Sequence, residues 1–99
     1  MKLEISPRAL KWFQEELGLK DGGTVKFFVK YGGSSPVQPG FSLGFSPGET
    51  PRLIGASTSA AGILFFIEED DLWFFDQHDL YVQFNEERDE LEFVYKKKG

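Results

Sequence analysis

The chain has no cysteine, one histidine, and no apolar run near the roughly 20 residues that a membrane-spanning helix needs. Each absence excludes something. Without cysteine there are no disulfides, no thiolate metal ligands and no thiol nucleophile. Small chains of oxidising compartments commonly carry disulfides. The opening stretch, MKLEISPRAL, has no unbroken apolar segment of the kind a signal peptide uses. A cytoplasmic protein with no membrane contact is therefore expected. Basic charge is also short: 11 Lys and Arg stand against 16 Asp and Glu, for a net charge of −5. A chain of that sign repels nucleic acid, so none is expected as a partner.

What the chain does have is aromatic. Phe, Trp and Tyr make up 16% of 99 residues, and 11 of them are Phe. Large rings bury much area each, so a chain of this length builds one core, and a single domain over 1–99 is expected. The acids are unevenly spread. Eleven of the sixteen lie from Glu68 onward, which makes the C-terminal third an acidic surface suited to solvation or to a basic partner.

The stretch from Thr24 to Phe45, TVKFFVKYGGSSPVQPGFSLGF, organises the rest. Its aromatic flanks, Thr24–Tyr31 and Phe41–Phe45, suit strands, and its middle, with Gly32, Gly33, Pro36, Pro39 and Gly40, suits a loop. Before it, Lys2–Ile5 alternates as a short strand. Ser6 offers an N-cap and Pro7 fits the first helical position, so a helix is expected over about 6–17, with Ala9, Leu10, Phe13 and Leu17 inward and Gly18 as the stop. Trp12 falls at the margin of that stripe. After it, Arg52–Ser57 reads as a weak strand and Ser57–Gly62 as a connector of small residues. Ile63–Ile67 reads as a strand buried on both faces. Acids ahead of Leu72–Phe75 suit a helix start, giving a short helix near 69–75. Leu80–Phe84 and Leu91–Tyr95 alternate as the last strands, and Lys96–Lys98 are expected to fray. The sum is an α+β fold of short, mixed but mostly antiparallel strands in two packed sheets.

In this order of parts, ISPRALKWFQEEL, VKFFVKYGGSS, FSLGF and LWFFDQHDLYVQF, the chain resembles the HesB-like family of A-type iron–sulfur carriers and their relatives. The resemblance implies a HesB-like domain. It does not carry over the cluster: Ser34 stands about where iron-binding members have a first cysteine, and the C-terminal Cys-Gly-Cys has no counterpart before Lys96–Lys98. A hydroxyl does not replace a thiolate at iron. The resemblance therefore implies a cysteine-free branch, without an expected cofactor, that acts as a non-enzymatic interaction or accessory protein. The alternative is weak iron binding without cysteine.

Candidate sites are few. His78 lies in Asp76-Gln77-His78-Asp79, where one imidazole and two carboxylates would make a weak metal site, but neighbours on a turn point apart. Ser34 or Ser35 with His78 lacks any G-x-S-x-G context. Glu68–Asp71 matches no EF-hand spacing, and Gly32–Ser35 lacks the Lys-Ser/Thr ending of a phosphate loop. No catalytic residue is assigned. Trp73, Phe74 and Phe75 stand in a row and cannot all face inward. The interaction candidates are Trp73 and Phe74 with Glu69 and Asp70, joined by Ser34 and Ser35 of the loop. The partner is an unidentified protein or a second copy in a homodimer.

Overall fold

The structure, a computed structural model, describes residues 1–98. Leu3–Ile5 forms β1, followed by helix α1 over Pro7–Glu16. The Ser6 hydroxyl accepts from Ala9 N–H at 3.1 Å, and Pro7 opens the first turn where its missing N–H costs nothing. Leu17 closes the helix, and Gly18 leaves it at φ +64°. Ala9 and Phe13 are fully buried, with Leu10 and Leu17 at the margin, as the spacing predicts.

Six strands complete the fold: β2 (Thr24–Tyr31), β3 (Phe41–Pro47), β4 (Ile54–Ala60), β5 (Ile63–Glu68), β6 (His78–Asn85) and β7 (Glu90–Lys97). A 3-10 helix, Glu69–Phe75, joins β5 to β6. The strands make two sheets, one ordered β3-β2-β5-β4 and the other β1-β6-β7. In the larger sheet β2 and β5 run parallel at the centre, each with an antiparallel hairpin partner outside it. In the smaller one β1 runs parallel to β6, and β6 antiparallel to β7. The fold is α+β with two packed mixed sheets, as expected.

Phe13 carries α1 onto the larger sheet. Its ring meets Phe27 of β2, Phe45 of β3 and Phe65 of β5 at centroid distances of 6.2, 5.6 and 5.2 Å. Trp12 sits beside it, edge-on to Phe45 at 5.8 Å. Phe93 of β7 meets Phe27 at 5.9 Å and ties the two sheets together. β5 is buried along almost its whole length, in keeping with the unbroken run Ile63–Ile67.

Two expectations need correcting. The small residues Ser57–Ala60 belong to β4, which spans Ile54–Ala60, and only Ala61 and Gly62, both at positive φ, make the turn. Small side chains suit this edge strand, and a two-residue turn with φ > 0 at both positions matches the twist of a hairpin. Lys96 and Lys97 are strand rather than frayed tail, paired with Asp79 and His78. The Lys96 ammonium lies 4.7 Å from the Tyr81 ring centroid, which gives the charge an attractive resting place on the sheet.

Candidate functional site

Parallel pairing puts the C-terminal ends of β2 and β5 at one end of the larger sheet, and their antiparallel partners β3 and β4 begin there. That end is unusual in what it exposes. Tyr31 closes β2 at 93% exposure, Leu53 just ahead of β4 and Ile54 at its start stand at 59% and 42%, and Trp73 of the 3-10 helix stands at 51%. These are all four of the large exposed hydrophobic side chains among the described residues.

The rings touch in sequence. Tyr31 meets Phe41 edge-on at 5.6 Å, Phe41 meets Trp73 at 5.3 Å, and Trp73 meets Phe74 at 6.2 Å. Phe74 and Phe75 are buried, so Trp73 is the ring of the three that faces solvent. Phe74 supports Trp73 from below and does not itself present a surface. Glu69 and Asp70 lie on the same 3-10 helix, exposed and outside the three ion pairs found among the described residues.

Backbone bonds hold this end in place. The pairing of β5 with β2 ends at Phe27 and Ile67, so the next N–H of β2 on that side, that of Val29, would have no strand to meet. The Asp71 carboxylate accepts it at 3.2 Å. Asp71 thus joins the 3-10 helix to the strand that carries Tyr31. On the other side Gly55 lies so close that a Cβ there would stand 2.8 Å from Glu69 Cα and from Leu72 Cδ1. Only glycine lets β4 and the 3-10 helix meet.

Glu68 departs furthest from its sequence reading. It belongs to β5 and is buried, not part of the solvated acidic run. Its two oxygens accept from Arg52 N–H at 2.9 Å and Leu53 N–H at 2.8 Å, which fixes the segment that projects Leu53 and Ile54. Those two donors, Arg52 first, hold the carboxyl below its ordinary value of 4.5. A folded-state value below the unfolded one stabilises the fold above the ordinary pKa, and the contribution fades as pH falls through the lower one. Glu68→Gln is expected to lower the melting temperature at neutral pH and to flatten its decline below pH 4.5. Thermal melts from pH 7 down to 2 check this, and equal slopes in the two proteins would refute it.

The remaining sequence candidates lie elsewhere. His78 Nδ1 is 2.9 Å from both the Phe75 and the Asp76 carbonyl oxygens, so it donates back into its own turn. Asp79 accepts from Lys2 N–H at 2.7 Å, and Asp76 takes a left-handed conformation at φ +46°. Among the described residues no three His, Cys, Asp or Glu side chains converge on a metal position. Ser34 and Ser35 line a cavity of about 260 Å³ between β3 and β7, and His78 is not among the residues around it. Ser35 Oγ accepts from Gln38 N–H at 3.1 Å, a role inside the loop. Tyr95 lines the same cavity, and burial pushes its phenol up to about 12. No helix among the described residues is long and apolar enough to cross a membrane.

The end of the larger sheet thus gathers exposed rings and two exposed acids on one surface. The relatives of this chain indicate a small regulatory or accessory protein. The chain belongs to the family of small bacterial proteins that includes a pyruvate dehydrogenase inhibitor of Bacillus subtilis, to which it is 52% identical over 95 residues, covering 96% of this chain and 99% of that protein. Uncharacterised proteins of Staphylococcus saprophyticus and Staphylococcus aureus (strain MRSA252) are 39% and 35% identical, each over 97% of this chain and 100% of its own length. A relative named as an inhibitor accords with a non-enzymatic role that needs a protein partner.

These findings correct the resemblance drawn from the sequence. No family model matches the chain, and the relatives indicate neither a HesB-like protein nor an iron–sulfur carrier. The matching pieces were a capped helix start, a glycine turn and alternating strands. Such pieces recur across packed-sheet domains, so they mark a fold class rather than a family.

Proposed function

We propose that this protein inhibits pyruvate dehydrogenase by seating the end of its larger sheet on the enzyme. One observation carries the reading: Tyr31, Leu53, Ile54 and Trp73, the four exposed large hydrophobic residues, all stand at that end beside Glu69 and Asp70. Aromatic side chains concentrate binding energy at protein interfaces, and unpaired acids at the rim favour a basic partner surface and speed its approach. The 52% identity to the Bacillus subtilis inhibitor over nearly the whole of both chains supports pyruvate dehydrogenase as the enzyme.

The mechanism on this reading is occlusion or locking by contact, with no bond made or broken by the inhibitor. The same rings would be the contact of a homodimer, so the free protein is also examined by light scattering. Purified pyruvate dehydrogenase titrated with the protein is expected to lose activity saturably, at a stoichiometry fixed by the number of docking sites. Full activity at inhibitor concentrations well above that of the enzyme would overturn the proposal.

A further inference from the structure

The two sheets meet differently along their two seams. On one, β1 runs beside β4. On the other, β3 and β7 border the cavity of about 260 Å³, with Ser34–Pro36 along it. The main-chain bonding shows which groups face that gap. Gly32 N–H donates to Gly40 O and Gly48 N–H to Thr24 O, bracketing the β2–β3 ladder. Antiparallel residues alternate between bonding their partner strand and facing away. Ser42, Gly44 and Ser46 therefore bond β2, and the N–H and C=O groups of Leu43 and Phe45 face outward. Likewise Lys98 N–H donates to Gln77 O, so Leu91, Phe93 and Tyr95 turn their main-chain groups away from β6. Among the described residues none of these outward groups has a main-chain partner outside its own sheet ladder. Two strand edges, both unpaired, border one cavity.

We infer that this seam accepts an extended segment of pyruvate dehydrogenase, added as a strand against β3 or β7; the inference rests on the inhibitory reading above. An unpaired strand edge is completed by an extended backbone, which satisfies the alternate donors and acceptors. The cavity is smaller than the roughly 300–1,000 Å³ of small-ligand pockets, and suits side chains of a docked strand better than a free metabolite. Charge sets the segment's chemistry. Glu90 and Glu92 line the cavity with Arg88, next to Glu86, Glu87 and Asp89 of the β6–β7 turn. The docked segment carries Lys or Arg at that end. The seam is also continuous with the proposed docking end, because the loop that lines it leaves the sheet at Tyr31 and returns at Phe41.

The test is hydrogen exchange of the protein alone and bound to pyruvate dehydrogenase, with inhibition by Glu90→Lys/Glu92→Lys measured alongside. Amides of Leu43 and Phe45, or of Leu91 and Phe93, are expected to exchange about tenfold more slowly or less in the complex. The double charge variant is expected to inhibit about tenfold more weakly, through slower association. A complex in which protection is confined to the Tyr31 and Trp73 end overturns this inference and leaves the inhibitory reading standing. Absence of any complex overturns both.

Discussion

Tyr31→Ala combined with Trp73→Ala is expected to weaken inhibition of pyruvate dehydrogenase about a hundredfold or more. Truncation of a central aromatic anchor commonly costs about 2 kcal/mol or more, and each 1.4 kcal/mol is a factor of ten. Both rings stand on the exposed sheet end, at 93% and 51% exposure, so their loss changes the surface more than the core. The melting temperature should fall by only a few degrees, since exposed positions contribute little to stability. Trp73 rests on Phe41 and Phe74, and accounts for whatever loss appears. Inhibition titrations and thermal melts on the same samples separate the two effects. Unchanged inhibition in a folded double variant would remove this end of the sheet as the contact. Reversing charge at Glu69 and Asp70 should act differently, slowing association with a strong dependence on salt and leaving dissociation near its original rate.

Much of the fold was legible because it is written in alternation. Thr24–Tyr31 coincides with β2, and Phe41, Leu43 and Phe45 mark β3 by the contrast with their Ser and Gly neighbours. Ser6, Pro7 and Gly18 bound the first helix correctly because capping is local chemistry. Where contrast is low, the pattern fails. IGASTSA offers neither large apolar residues nor charges, so its strand is visible only through its pairing with β5. The lysines at the end read as solvated tail because their pairing with His78 and Asp79 is a long-range fact.

The site was half legible for a related reason. Three rings in a row required that one of Trp73, Phe74 and Phe75 face outward, and Trp73 is the one. Tyr31 reads in sequence as the end of a strand, and nothing local marks it as the most exposed large hydrophobic residue. It becomes part of a surface only because β5 runs parallel to β2 and brings the 3-10 helix to the same end. Glu68 looked like the first of four equivalent acids. Its burial depends on Arg52 and Leu53 passing close by with two free N–H groups, and a signal of that kind exists only in the folded chain.

Phe13→Ala is expected to be the most destabilising single change. The side chain is fully buried and meets four rings, Trp12 at 5.3 Å and Phe27, Phe45 and Phe65 at up to 6.2 Å. Truncating a buried Phe costs about 3–5 kcal/mol, against a total stability of about 5–15 kcal/mol for a domain. For a chain of this size that corresponds to a melting temperature lower by about 12–40 °C. The chain has no disulfide to hold the remnant together, and α1 reaches the larger sheet through this ring. The variant should therefore lose the helix packing and the sheet alignment in one transition. A melting temperature within a few degrees of the parent would mean that the neighbouring rings close the gap unaided. Inhibition should survive at temperatures where circular dichroism still reports the native fold, and disappear with it on heating. That coincidence distinguishes Phe13 from Tyr31 and Trp73, whose removal is expected to weaken inhibition in a chain that remains folded.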